Sequence, residues 1–353
     1  MKRYGNLFPK IVEMDNLFLA ERRARAAKGW MRAVQVFELN LENNLRHIRN
    51  SLINHTFTTS PYRTKYAYYP KFREIFIVPF APDRIVQHAL MAVVEPIWDS
   101  ILIDNTVSCR KGRGIDYAFT LSAKFVNTNK YCLKCDISKF YPSINHNILF
   151  DLIQRKIKCP DTLWLIKDIV YSYGRQFNTE TNSPIGNYTS QWFGNLYLDI
   201  IDRFATQVLK VDYIRYCDDF IFFSNDKEQL QDIVEFLPEF LWDTRRLKLS
   251  KCDLFPTSRG LDFVGYRFFP SGYILLRKRT VKALKRRFKR LYRRIDNGAK
   301  VTHSSIRGKV ASAIGLLSRC NAHNLKKHIR FYTLVRKVKI KPKKKRINYF
   351  KTY

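Results

Sequence analysis

The chain has 353 residues, 46% of them hydrophobic and 14% aromatic, which suits a large folded core and excludes a disordered binder. Its 64 lysines and arginines against 30 acids leave a formal charge of +34, and self-repulsion on that scale calls for an anionic partner. Seven cysteines make no disulfide framework, and no apolar run is long enough to span a membrane.

Helical periodicity runs twice through residues 6–50, first over Leu7, Ile11, Leu17 and Leu19, then over Val34, Phe37, Leu39 and Leu45. Residues 62–78 are β-rich and basic. Asp83 suits the cap of a helix running to Ile97. A strand is predicted over 131–137, helices over 145–157, 163–173 and 190–209, and a strand pair over 211–215 and 220–223. A helix follows over 227–242, then a second hairpin of 262–268 and 272–276 around Pro270-Ser271-Gly272. From Thr280 the pattern is helical and basic. Residues 271–353 hold 27 lysines and arginines against one acid, Asp296, so a phosphate backbone is the expected counter-charge. The lysine-rich run 341–346 reads as a solvated tail. This order describes an α+β fold, an antiparallel sheet with helices on one face.

The chemistry sits where carboxylates meet strand ends. Asp218 and Asp219 ride the turn between the two apolar runs, and Asp136 ends the strand at 131–137. Three acids so presented can hold two divalent cations against a nucleotide triphosphate. Hard oxygen ligands suit Mg²⁺, and Mn²⁺ equally. The competing reading of Asp218-Asp219 alone is a polar hairpin turn, which the matching Asp136 strand disfavours. Cys132 and Cys135 form a CxxC with no second pair at zinc spacing, so buried packing is expected of them. Glu13 and Asp15 interrupt the first apolar stretch and spoil a signal peptide, leaving the cytoplasm as the expected compartment, with no membrane partner.

Tyr216-Cys217-Asp218-Asp219 resembles the Tyr-x-Asp-Asp motif of reverse transcriptases, and the nine residues from Asp136 to Ile144 resemble their first palm motif. Lys71-Phe72-Arg73 with Asp83-Arg84-Ile85-Val86-Gln87 resembles the fingers segment of bacterial members, and Phe263-Val264-Gly265-Tyr266 resembles the primer-grip hairpin. The resemblance implies a right-hand polymerase. Residues 1–60 would form an N-terminal helical extension and 61–130 the fingers, with 145–190 shared between fingers and palm. Residues 131–270 would be the palm, 271–340 a basic helical thumb and 341–353 a basic tail. It implies two Mg²⁺ ions on Asp136, the Ile137 carbonyl, Asp218 and Asp219. Lys71 and Arg73 would meet the triphosphate, and Tyr141 would act as a steric gate against the ribose 2′-hydroxyl. Ile185, Gly186 and Gln191 would line the nucleotide site, and Val264, Gly265 and Tyr266 would grip the primer. Arg277, Lys278, Lys282, Lys285, Arg286 and Lys289 would contact nucleic acid, alternating with an apolar stripe of Val281, Leu284, Phe288 and Leu291.

One segment departs from the common pattern. Retroviral and group II intron enzymes carry Gln-Gly and Ser-Pro where this chain has Ile185-Gly186 and Ser190-Gln191. That departure resembles the reverse transcriptases of diversity-generating retroelements, as do Asn6-Leu7-Phe8, the run Asn16–Ala20 and Asn321-Ala322-His323-Asn324-Leu325. The implied activity is RNA-directed synthesis of adenine-mutagenised cDNA from a retroelement RNA, in the cytoplasm of a bacterial or phage-infected cell. The implied partners are template RNA, the RNA/cDNA duplex, deoxynucleotide triphosphates and a small oligomeric accessory variability protein. No nuclease block is expected after the thumb. The alternatives are an ordinary bacterial enzyme of retron, group II-like or phage-defence type, and a non-catalytic RNA-binding protein that keeps the fold.

Overall fold

Strand β5 shows why the central sheet forms where it does. In the computed structural model, which describes residues 3–68 and 72–338, its Phe220, Ile221, Phe222 and Phe223 are all buried. A strand covered on both faces reads as a continuous apolar run. Nine strands are described: β1 (Arg63–Ala67), β2 (Arg73–Ile77), β3 (Tyr131–Ile137), β4 (Asp212–Tyr216), β5 (Asp219–Ser224), β6 (Leu249–Pro256), β7 (Leu261–Phe263), β8 (Tyr266–Phe268) and β9 (Ile274–Leu276). The central sheet has the order β4-β5-β3-β6, which puts β5 and β3 inside. β6, at the edge, mixes exposed and half-buried residues and has none buried. β1 and β2 pair antiparallel, with Arg63 opposite Ile77 and Ala67 opposite Arg73. β7, β8 and β9 form an antiparallel meander.

The described residues fall into two compact units, and the boundary between them cuts β3, β5 and β6. The first comprises Met1–Gly114, Cys135–Phe220 and Ile233–Cys252. Its helices begin with α1 (Phe8–Val12), α2 (Met14–Ala24), α3 (Arg32–Glu38) and α4 (Leu41–Ile53). α1 and α2 pack against α5 (Ile85–Asp99), whose Ile85 to Met91 are buried without a break, and α4 packs on α1 and α2. The second unit comprises Ile115–Lys134, Ile221–Asp232 and Asp253–Tyr353, and opens with α6 (Ile115–Thr128). In the first unit follow α7 (Phe140–Ser143), α8 (His146–Gln154), α9 (Pro160–Phe177), α10 (Ser190–Tyr197) and α11 (Asp199–Arg203). Asn145 caps α8 by accepting from the Ile148 N–H at 3.1 Å, and Pro160 starts α9 where a missing N–H costs nothing. Then come α12 (Lys227–Arg245), α13 (Lys278–Asp296), α14 (His303–Leu317), α15 (His323–His328) and α16 (Phe331–Lys337). On α13, Leu284, Phe288 and Leu291 are buried and Val281 half-buried, the expected stripe. Among the described residues no helix is long and apolar enough to cross a membrane.

Four expectations need correction. Asp83 does not cap α5: a π-turn over Phe80–Arg84 precedes that helix, and the buried Asp83 carboxylate accepts from the Ser60 N–H at 2.8 Å. The helix predicted over 190–209 is α10, then α11, then a π-turn over Phe204–Val208. The segment 262–268 is itself a hairpin, because Val264 and Gly265 form a two-residue turn with φ of 41° and 90°. β6 and α6 lie in stretches with no predicted element.

Positive φ at both turn positions suits a tight hairpin, but a β-branched Val264 is strained there. Val264→Asn is therefore expected to raise stability by about 1 kcal/mol in a denaturant melt.

Candidate active site

The β4–β5 hairpin has a two-residue loop, Cys217-Asp218, with Cys217 at φ 56° and Asp219 as the first residue of β5. Its geometry is fixed from behind by Arg215. This side chain and Asp202 are fully buried, joined at 2.6 and 2.7 Å. Arg215 also donates to Asn195 Oδ1 at 3.1 Å, to Asn195 O at 3.2 Å and to Cys217 O at 3.1 Å. The Cys217 N–H is held in turn by Ser108 Oγ at 2.9 Å. Both backbone groups of the residue before Asp218 are therefore anchored. Thr106 and Tyr213 donate their hydroxyls to the same Asp202 carboxylate, at 2.6 and 2.9 Å. Burial opposes the guanidinium's charge, but the Asp202 carboxylate outweighs it and holds Arg215 firmly protonated. Burial, reinforced by Asp202, pushes the Tyr213 phenol well up.

Asp136 reaches the same end of the sheet. The Lys130 N–H donates to Asn225 Oδ1 and Asn225 Nδ2 donates to Thr128 O, so the start of β3 meets the end of β5. Asp136, near the other end of β3, is thereby carried toward the start of β5 at Asp219. It is half-buried, and Ser250 Oγ donates to its Oδ2 at 2.9 Å. Asp218 and Asp219 are half-buried as well, while Ile137 is buried. Among the described residues no three Asp, Glu, His or Cys side chains close into a metal cage. Half-buried carboxylates at a strand end nonetheless fit Mg²⁺, which takes one or two such ligands and completes its shell with water and phosphate. A hydrogen bond from Cys109 lowers the Cys217 thiol, against burial and the neighbouring Asp218 carboxylate, which both push it up.

Tyr141 lies within the field of Cys217, Cys109 and Asp218, and burial foremost pushes its phenol up, so the ring stays neutral. Gly194 leaves room for it: a Cβ there would stand 3.0 Å from the Phe140 ring and 3.5 Å from that of Tyr141. The Tyr141 carbonyl accepts from the Ser183 N–H at 2.9 Å and so ties the loop before α10 to the hairpin region. Within that loop Ile185 is 39% exposed, not packed beneath it. Gly186 has no alternative, since a Cβ would fall 1.7 Å from Phe76 O on β2. Gln87 accepts from the Tyr188 N–H at 2.8 Å, and Gln191 is exposed. Arg73 is exposed at the start of β2, three residues and about 10 Å from Phe76. Lys71 lies outside the described residues, as does the run 341–346.

The structure thus gathers Asp136, Asp218, Asp219, Tyr141, Ile185 and Gly186 in the first unit. In the second, Val264 and Gly265 form a hairpin tip, but the Tyr266 ring is buried edge-on against Phe119 and its hydroxyl donates to Leu316 O at 3.0 Å. Its side chain belongs to the core. Arg277 is engaged by Asp262, donating to its carboxylate at 2.6 Å. Lys278, Lys282, Lys285, Arg286 and Lys289 are exposed on α13. Sequence reasoning missed Arg215, Asp202, Asn195 and Ser108. The usable signal was a charged residue inside an apolar strand, which needs a buried partner.

Arg215→Met should cost about 3–5 kcal/mol by stranding a buried carboxylate, while Arg215→Lys, which keeps the charge, should cost less. Gly186→Ala should cost about 3 kcal/mol, because β2 or the loop must move. Denaturant melts check all three.

The family profile described as reverse transcriptase (RNA-dependent DNA polymerase) matches residues 69–268. Protein YkfC of Escherichia coli (strain K12) is 24% identical over 293 residues, covering 69% of this chain and 74% of that protein. Group II intron-encoded protein LtrA of Lactococcus lactis subsp. cremoris is 25% identical over 180 residues, covering 49% of this chain and 30% of LtrA. A structure of apo telomerase from Candida tropicalis aligns with a TM-score of 0.48 at 13% identity, over 79% of this chain and 59% of that one. The profile spans more than half the sequence and includes Asp136, Asp218 and Asp219, and the chain belongs to the reverse transcriptase family of RNA-dependent DNA polymerases.

Proposed function

We propose that this polymerase copies a retroelement RNA into cDNA with errors concentrated opposite template adenines, as a diversity-generating enzyme. The observation that supports this reading is Ile185. An apolar, part-exposed side chain stands where other family members carry a glutamine amide, on a loop tied to Tyr141 and to β2. An amide can hold a nucleotide or template base by a directional hydrogen bond. An isoleucine offers contact without direction, so a misaligned pair is rejected less strongly.

Asp136, Asp218 and Asp219, with the Ile137 carbonyl, would hold Mg²⁺, which when bound supplies nucleophile activation and neutralises the triphosphate. The Arg215 network keeps Asp218 in one place while the substrate turns over. Arg73, together with Lys71, would receive the triphosphate oxygens. The neutral Tyr141 ring would close off the space a ribose 2′-hydroxyl needs. Gly186 and Gln191 would border the nucleotide, and Val264 and Gly265 would meet the primer strand. In this reading residues 61–130 are fingers, with 145–190 shared with the palm, 131–270 palm and 271–340 thumb, with 1–60 as the N-terminal extension. A small oligomeric accessory protein would complete the machinery.

Sequencing of cDNA made on a defined RNA, with all four deoxynucleotides and with Asp218→Ala as the inactive control, tests the proposal. Adenine-centred errors are expected, and Ile185→Gln should lower them about two- to tenfold, the discrimination one hydrogen bond supplies. Faithful cDNA from the unaltered chain would make it an ordinary bacterial reverse transcriptase. Arg215→Lys should fold yet need more Mg²⁺ for half-maximal extension, because Cys217 O loses its donor; an unchanged Mg²⁺ requirement would remove Arg215 from the positioning of Asp218.

A further inference from the structure

The second unit carries a groove of about 1000 Å³ between β9, α13, α15 and α16. Lys278, Lys282 and Lys285 line one wall and Lys326 another, and none of the lining residues is a carboxylate. Two tyrosines, Tyr273 and Tyr332, border it with half of each side chain exposed. Asn321 sits between them in sequence, its carboxamide oxygen already accepting from the Ile274 N–H at 2.8 Å, and no hydrogen bond among the described residues uses its Nδ2. A second hollow along α13 differs. It includes Asp296, and its Arg330 stacks on Tyr292 at 4.6 Å while the Tyr292 hydroxyl donates to Arg330 O at 2.6 Å. That hollow holds an acid among its cations and pairs its own arginine with its own ring; the larger groove has no acid.

We propose that the larger groove is a binding site for a single-stranded stretch of RNA, with bases stacked on Tyr273 and Tyr332 and phosphates on Lys278, Lys282, Lys285 and Lys326. Lysines without acids select a polyanion. The aromatic faces select the strandedness: unpaired bases offer free π-faces, whereas a duplex keeps its own bases stacked inside. Asn321 Nδ2 adds a donor for a base edge or a ribose 2′-oxygen. The site rests on the family's use of RNA and not on the mutagenic reading, so it stands or falls independently of the error spectrum.

The test is binding of the full chain to a labelled single-stranded RNA of about a dozen nucleotides and to an RNA–DNA hybrid of equal length, across a salt series. The same length of single-stranded DNA serves as a further arm. Tyr273→Ala/Tyr332→Ala should weaken single-stranded RNA binding at least about tenfold while leaving the salt slope and hybrid binding unchanged. Tyr273→Phe/Tyr332→Phe should retain binding, which separates loss of the ring from loss of the fold. Lys282→Ser/Lys285→Ser should weaken binding and lower the salt slope by about 1 to 2. Arg287→Ser/Arg294→Ser removes equal charge from the far side of α13, given about 100° per residue, and should change binding less than about twofold. Tyrosine variants that bind single-stranded RNA normally would overturn the proposal. So would equal losses on the hybrid, which would mark a duplex surface, or stronger binding of single-stranded DNA than of RNA.

Discussion

A guanidinium removed from water must be neutralised and given acceptors on every edge, or the fold loses several kcal/mol. Arg215 meets that demand with Asp202, Asn195 and the carbonyl of Cys217. The requirement runs in both directions. Asp202 is fully buried too, so Thr106, Tyr213 and Arg215 must converge on it. Residue 106 and the stretch 195–202 are thereby fixed around β4, the strand that leads into the Cys217-Asp218 turn. A loop of two residues, which alone would move freely, inherits the rigidity of the core. A carboxylate placed on such a loop can be half-exposed and still held in position, as the role proposed for Asp218 requires.

Two adjacent residues in the loop before α10 show opposite constraints. Gly186 is dictated by the backbone of β2, which leaves no volume for even a methyl group. Ile185 is held by nothing so strict and is part-exposed. The loop's position is thus set by one residue, and its chemistry toward a substrate by its neighbour.

What could be read in the sequence was local. The apolar runs around Asp218-Asp219, the strand ending at Asp136 and the stripe on α13 are patterns within a dozen residues, and they fold as their periodicity says. The Arg215 network was illegible because its partners lie 13 and 20 residues away and its last tie, to Ser108, is longer still. Asp83 looked like a cap because it precedes a helix, but the tertiary demand of the Ser60 N–H won. β6 escaped notice because its Ser250, Lys251 and Asp253 broke the apolar run, as an exposed edge allows. The ion pair of Arg277 was hidden for a related reason: its acid, Asp262, arrives through β7 and not through the helix.

The segment Asn105–Val107 runs beside β4, with the Val107 N–H donating to Arg215 O and the Arg215 N–H to Asn105 O. β4 would otherwise present an open row of amides and carbonyls next to the most apolar strand of the protein. Such a rim invites strands from other molecules, a hazard for a hydrophobic sheet at cellular concentrations. The short flanking segment seals it, and its Thr106 hydroxyl locks the seal to Asp202. The same few residues that steady the Cys217-Asp218 turn also cover part of the β4 edge.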